Sequence, residues 1–388
     1  MMLPLTSNTW TTEETDAIQK VVESGFHTMG ENVYAFEQAF AKYHSAHHAV
    51  MVNSGSSANL AAVAALVYST EYDLNPGDEV IVPCVGWATS YYPLHQYGLK
   101  MRFVDVDLQT LNYDLDILES AITSKTRMIL VINILGNPNP LREIRDLCDQ
   151  KSLILFEDNC ESFGAKYEEK LTGTWGHIGT FSSYFSHHLN TIEGGVVLSK
   201  SKELDSIVRS IRSHGWDRGI ELPIDTKQGK KNNTFNSGFD FYYPGYNLRP
   251  MELSASIGIV QLNKVDDLIL TRRTNALTLM ERLENISWLN LQKEVGESSW
   301  FSFAMLIDES SDISREVVIK QLDEIGIVTR PVVSGNFLRQ PVMRYMDYEV
   351  FGETTNADLV HDNGFYIGNH AYDISNELDQ FSSICNAI

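Results

Sequence analysis

Apolar side chains recur at spacings of three and four between residues 10 and 45: Trp10, Ile18, Val21, Val22, Val33, Phe36, Phe40 and Tyr43. That period predicts amphipathic helices, interrupted near Gly25 and Gly30. The texture then changes. A short apolar run at 49–52 is followed by Asn53-Ser54-Gly55-Ser56-Ser57 and an alanine-rich segment at 58–66, which predicts strand, turn and helix in succession. More unalternated apolar runs stand at 79–83, 101–105, 128–132 and 152–158, separated by helical stretches such as 142–149. Such runs predict parallel strands buried on both faces, with functional groups gathered at their carboxyl ends.

The stretch 179–195 has three parts. Residues 180–185 are aromatic and hydroxyl-rich and predict a strand, a polar turn carries His187 and His188, and Gly194-Gly195 opens the apolar run 196–198. On its own, a histidine pair in such a turn is also what a hydrogen-bonded loop would show. A helix at 202–212 and the segment His214-Gly215-Trp216 follow. The polar loop at about 219–240 reads as a lid, an interface arm or a surface insertion. A long helix from 251 to about 283 then bridges to a mixed remainder, with strands at 300–307 and 326–333, a helix at 314–325 and a helical C-terminal turn. The expected domains are 1–250, a large domain with N-terminal helices, and 251–388, the bridging helix with a small α+β unit.

A chain of 388 residues is long enough for two cores. Its 51 acidic residues against 30 Lys and Arg give a net charge of −21, which argues against nucleic acid as a partner. An anionic small substrate would need local cations working against that field. Cys84, Cys148, Cys160 and Cys385 show no CxxC spacing, so neither a disulfide scaffold nor a zinc ribbon is expected. No leader pattern and no long apolar window is visible; the expected setting is the cytoplasm, with no membrane contact.

A pyridoxal phosphate enzyme needs a phosphate cradle, an acid for the pyridine nitrogen, a stacking face and usually a lysine. The first three occur in a consistent order. Gly55-Ser56-Ser57 at a helix start offers N–H groups to a phosphate, although a serine-rich turn also simply caps a helix. Trp87, beyond the 79–83 run, can stack on a ring. Asp158, ending a very apolar run, can pair with a ring nitrogen or cap a turn. The lysine is missing: none lies between Lys170 and Lys200, and His187 stands where the amine is expected.

The segments Asn53 to Leu60, Gly77 to Pro83, Glu157 to Ala165, Glu193-Gly194-Gly195 and Gly245 to Arg249 together resemble the sugar-nucleotide aminotransferase family DegT/DnrJ/EryC1/StrS, over essentially the whole chain. The resemblance implies an α/β protein of the pyridoxal phosphate transferase fold type I, aspartate aminotransferase-like, with a mostly parallel sheet and a smaller α+β C-terminal domain. It also implies a homodimer with a shared active site. Ser186-His187-His188, His214 to Trp216, Glu297 to Phe301 and Gly368 to His370 are similar to the 3-dehydratase branch that acts on GDP-4-keto-6-deoxy-D-mannose.

Position by position, the resemblance implies that Gly55, Ser56 and Ser182 bind the cofactor phosphate, joined by Asn247 of the neighbouring subunit. Trp87 would stack on the ring, Asp158 would pair with its nitrogen, and Glu161 would lie near its hydroxyl. His187 becomes the acid/base, and His214 and Arg249 lie near the sugar substrate or the glutamate carboxylate. Imidazole cannot form the covalent link that a lysine amine makes, yet it exchanges protons near neutral pH. The implied reaction uses L-glutamate to convert pyridoxal 5′-phosphate to pyridoxamine 5′-phosphate. It removes the sugar's C3 hydroxyl and releases a GDP-4-keto-3,6-dideoxy sugar and ammonia. The related CDP-sugar 3-dehydrases share the histidine but hold an iron–sulfur cluster and need a reductase. A cluster requires grouped cysteines. None occur between 161 and 384, so neither a cluster nor another metal is expected. A catalytically silent regulatory relative is the reading from a different class.

Overall fold

The computed structural model describes residues 3–217 and 239–388, so nearly all of the polar loop expected at 219–240 lies outside the described residues. The large sheet has eight strands. From edge to edge they are His48–Val52, Gly195–Ser199, Ile178–Ser182, Ile154–Asp158, Thr126–Ile132, Glu79–Pro83, Lys100–Val104 and Tyr348–Phe351. Gly195–Ser199 runs antiparallel to both of its neighbours, and every other pairing is parallel. The chain adds strands outward from Glu79–Pro83 to Lys100–Val104, then crosses back to Thr126–Ile132. That reversal opens a crevice beyond the carboxyl ends of the central strands. The expectation of a mostly parallel sheet buried on both faces is met, since nearly every residue of the central strands is buried.

A second sheet of four strands, Leu289–Leu291, Ser302–Ile307, Gly364–Gly368 and Thr329–Arg330, is wholly antiparallel. Its own apolar cluster includes Phe303, Met305, Phe365 and Phe381. Residues 326–333, expected as one strand, contribute only the two-residue Thr329–Arg330. The 180–185 expectation is also corrected. The strand is Ile178–Ser182, and beyond it Tyr184 and Phe185 turn outward, 46% and 36% exposed.

Helix Thr12–Ser24 starts at a capping box formed by Thr11 and Glu14 and ends at Gly25 in the left-handed region. Helix Glu31–Tyr43 begins at Gly30, which has no side chain to offer as a cap. Glu252 supplies one from the first turn of the 32-residue helix Glu252–Leu283. Its carboxylate accepts from the N–H groups of Gly30, Asn32 and Val33 at 2.7, 2.8 and 2.9 Å. The capping tie fixes the long helix against the N-terminal pair.

Candidate active site

Helix Gly55–Tyr68 leaves its first N–H groups without intrahelical acceptors, and they face the crevice. Ser54 caps the turn by accepting from Ser57 N at 3.1 Å. Glycine at 55 is dictated by space: a Cβ there would lie 2.5 Å from Ser182 Cβ and 2.9 Å from Cys160 Sγ. At Gly195 a Cβ would lie 2.3 Å from the carbonyl oxygen of Ser54. The serine turn, the end of strand Ile178–Ser182 and the glycine pair therefore meet at van der Waals distance. A positive helix end lined by the hydroxyls of Ser56 and Ser182 offers the donors that a phosphate accepts from.

Asp158 closes strand Ile154–Asp158 and is 4% exposed. One carboxylate oxygen accepts from Asn59 Nδ2 at 2.8 Å and Ser90 Oγ at 2.7 Å, the other from Cys160 N at 3.0 Å. Asn59 is itself oriented, because its Oδ1 accepts from Thr180 Oγ1 at 2.6 Å. Each of these partners donates, so the carboxylate is held in one orientation at the strand end.

Two residues further on, Glu161 accepts from Leu135 N at 2.9 Å. Burial lifts its carboxyl to about 7, and the nearby Asp158 charge pushes in the same direction. His187 also lines the crevice. Its Nδ1–H donates to the carbonyl of Cys160 at 2.5 Å, which leaves Nε2 with a free lone pair. The ring packs edge-on against Phe301 and Tyr184, with centroids 5.1 and 6.1 Å away. Burial pulls the imidazole down to about 4, and the Arg272 charge adds to that. At neutral pH the side chain is therefore a neutral base. His188 is different: it is 1% exposed, donates from Nε2 to the carbonyl of Ser299 at 2.9 Å, and stays out of the crevice.

These groups line one cavity of about 380 Å³. Gly55, Ser56, Trp87, Asp158, Glu161, Ser182 and His187, all singled out from sequence, are on its walls. Trp87 stands at the rim, 57% exposed, at the start of helix Ala88–Gln96. His214, Asn247 and Arg249 are not on those walls. They lie together behind the serine turn: His214 N bonds Tyr246 O, Arg249 Nε bonds Asn247 Oδ1, and Leu248 O accepts from Asn53 N. Asn247 is exposed there.

Sequence reasoning missed Asn59, Thr89, Ser90, Tyr184, Glu193, Phe301, Val333 and Tyr366 as wall residues. Asn59 was findable, being one helical turn after Gly55. Tyr366 comes from strand Gly364–Gly368 of the second sheet and carries no local signal. Burial, with the Glu161 charge, raises its phenol to about 12.

The four cysteines are free and scattered. Cys84, Cys148 and Cys385 are buried in three separate apolar clusters, and Cys160 sits beneath the serine turn. Among the described residues, no group of three or more His, Cys, Asp or Glu is arranged to hold a metal. Nor is any described helix long and apolar enough to cross a membrane.

The chain matches the model of the DegT/DnrJ/EryC1/StrS aminotransferase family over residues 8–384. It is 46% identical to a GDP-4-keto-6-deoxy-D-mannose 3-dehydratase of Yersinia pseudotuberculosis over 382 residues, 98% of this chain and 97% of that one. Among solved structures it is similar to a GDP-4-keto-6-deoxymannose-3-dehydratase with bound GDP-perosamine. The TM-score is 0.95 at 43% identity, covering 99% of this chain and 100% of that one. It is also similar to such an enzyme with a trapped PLP-glutamate geminal diamine, with a TM-score of 0.96, 43% identity and the same coverage.

Proposed function

The chain belongs to the DegT/DnrJ/EryC1/StrS aminotransferase family, and from that premise we propose that it is a pyridoxal phosphate-dependent 3-dehydratase of GDP-4-keto-6-deoxy-D-mannose. One observation carries the reading. His187 presents an unprotonated Nε2 to a cavity whose described walls contain no lysine, beside the donor-ringed Asp158 and the serine turn. An aminotransferase needs an amine there; a dehydratase needs a base.

The walls fit the cofactor. The glycine-spaced helix end suits its phosphate, the donor-ringed carboxylate suits a protonated ring nitrogen, and the exposed indole of Trp87 suits a ring face. Pyridoxal phosphate, with L-glutamate as the amino donor, would supply an electron sink when bound. Gly55, Ser56 and Ser182 would hold the phosphate. Asp158 would pair with the ring nitrogen, and Glu161, whose carboxyl burial lifts to about 7, would share a proton with the ring hydroxyl. His187 Nε2 moves the proton that lets the C3 hydroxyl leave as water. Phe301 and Tyr184 keep its ring edge-on and shield it from solvent. The products are a GDP-4-keto-3,6-dideoxy sugar and ammonia.

The proposal includes a cytoplasmic homodimer, in which Asn247 of the second subunit completes the phosphate seat. Asn247 is exposed here, and Phe239, Phe241 and Met251 nearby in sequence are 57%, 63% and 53% exposed, an apolar surface suited to a partner. The proposed division of the chain is a large domain, 1–250, and a smaller unit, 251–388, whose strand Tyr348–Phe351 is joined to the large sheet.

The test is direct. Purified protein with pyridoxal phosphate, L-glutamate and GDP-4-keto-6-deoxymannose should release ammonia and 2-oxoglutarate without any reductase, and His187→Asn should stop turnover while the cofactor stays bound. An aminated sugar as the sole product refutes the reading. Stoichiometric iron with a reductase requirement would point instead to the CDP-sugar type of reaction.

A further inference from the structure

We infer that a second, anion-binding site for a phosphate group lies at the amino-terminal edge of the large sheet, away from the catalytic crevice. His177 precedes strand Ile178–Ser182, and Lys200 follows the antiparallel strand Gly195–Ser199, whose Ser199 pairs with Ile178. Both residues therefore sit at the end of the sheet opposite Ser182, separated from it by roughly 13 Å of strand. There Arg142, Arg145, Lys170 and Lys200 surround a cavity of about 350 Å³, with Trp175 and His177 in its wall.

Four cations are gathered here in a chain of net charge −21, so the cluster opposes the field of the whole molecule. Carboxylates neutralise only part of it: Arg142 pairs with Glu168, and Arg145 with Asp149 at 2.6 Å. Asp146 also reaches the wall. Lys170 and Lys200 have no carboxylate within ion-pair distance among the described residues. Lys170 instead lies over the Trp175 ring, 4.2 Å from its centroid, and Arg142 lies 5.3 Å from the same ring. Burial and the Lys200 charge lower the pKa of Lys170, whereas buried Glu157 works against them.

The neutral donors point to the same ligand class. His177 Nδ1 accepts from Leu155 N at 2.9 Å, so its remaining proton is on Nε2. The indole Nε1–H of Trp175 is buried and has no acceptor among the described residues. The wall is also built rather than incidental. Glu157, adjacent to Asp158 but on the other face of its strand, accepts from Gly173 N at 2.7 Å and Gly176 N at 2.6 Å, which locks the loop that carries Trp175. A site with two lysines outside ion-pair distance of any described carboxylate, and an unpartnered indole N–H in its wall, takes an anion that accepts several hydrogen bonds, as a phosphate does.

The test is isothermal titration calorimetry on the cofactor-loaded protein at fixed ionic strength, with inorganic phosphate and GDP as separate titrants and chloride as the control. Phosphate should give a saturable isotherm. It should weaken by roughly tenfold or more in Lys170→Gln/Lys200→Gln, since charge-assisted contacts are lost, and persist in His187→Asn. Lys200→Glu, at an exposed position that leaves Trp175 untouched, should weaken it as well. A tighter GDP isotherm with the same lysine dependence makes a nucleotide the source of the phosphate group; lysine-dependent binding of inorganic phosphate alone makes it the free anion. Heat no greater than the chloride control, or equal affinity in the wild type and both lysine variants, overturns the proposal.

Discussion

Replacing Gly55 by alanine separates stability from cofactor binding at one atom. The added Cβ would stand 2.5 Å from Ser182 Cβ, 2.9 Å from Cys160 Sγ and 3.0 Å from Ser182 Oγ. The neighbours on that side are a strand end and a buried turn, so they must move. Overpacking of this kind costs about 1–3 kcal/mol. Alanine in place of glycine in a helix returns up to about 1 kcal/mol, and less in the first turn. The net effect on folding is therefore a loss of at most about 3 kcal/mol. Binding suffers more, because the displaced Ser182 hydroxyl and the crowded N–H groups are the proposed phosphate seat. One hydrogen bond to a charged group is worth about 1.5–3 kcal/mol, which is roughly a tenfold to hundredfold rise in the Kd for pyridoxal phosphate. Absorbance titration of the apoprotein measures that Kd, and urea unfolding of the same samples measures the stability. An unchanged Kd beside a normal unfolding midpoint would refute the assignment of the cradle.

Two further outcomes are expected. Asp158→Asn keeps an oxygen for Asn59 and Ser90 but removes the charge, so the glutamate half-reaction followed by stopped-flow absorbance should slow by roughly a hundredfold or more; a rate within a few-fold of wild type would mean that the ring nitrogen is not its partner. His44 is enclosed by Phe40, Phe163 and Phe181, and burial lowers its pKa to about 4, against 6.5 when unfolded. Above pH 6.5 it is neutral in both states. As pH falls from 6.5 towards 4 only the unfolded chain takes up the proton, so stability drops by about 1.4 kcal/mol per pH unit from this residue. His44→Phe should flatten the urea-derived stability profile by that slope between pH 6 and 5, and parallel profiles would exclude it.

Elements that bury one side of a regular period were readable from sequence. Helix Lys202–Arg212 begins and ends where its pattern does, and the strands Glu79–Pro83 and Ile154–Asp158 stand where unalternated apolar runs placed them. Strand Tyr348–Phe351 was invisible because it is a largely exposed edge with no apolar alternation. Helix Ala88–Gln96 was hidden by Pro93 within it. At the site, residues in short motifs were recoverable, and His187 was made conspicuous by an absent lysine. The partners that orient them were not. Asn59 and Ser90 reach Asp158 across 99 and 68 residues of chain, and Tyr366 arrives from the other sheet. Such meetings are properties of topology, which no local period encodes.

The late return of Tyr348–Phe351 to the large sheet bears on how the protein is made. Its partner strand, Lys100–Val104, leaves the ribosome some 250 residues earlier, and Arg102 must await Glu349, 247 positions further along. At about 5–20 residues per second the nascent sheet carries an open edge for roughly 12–50 seconds. Unpaired edges recruit other chains. Lys100 and Arg102 on that edge are then more than future ion-pair partners: two positive charges on one short strand repel an identical neighbour. They guard the growing polypeptide until its own C-terminal strand arrives.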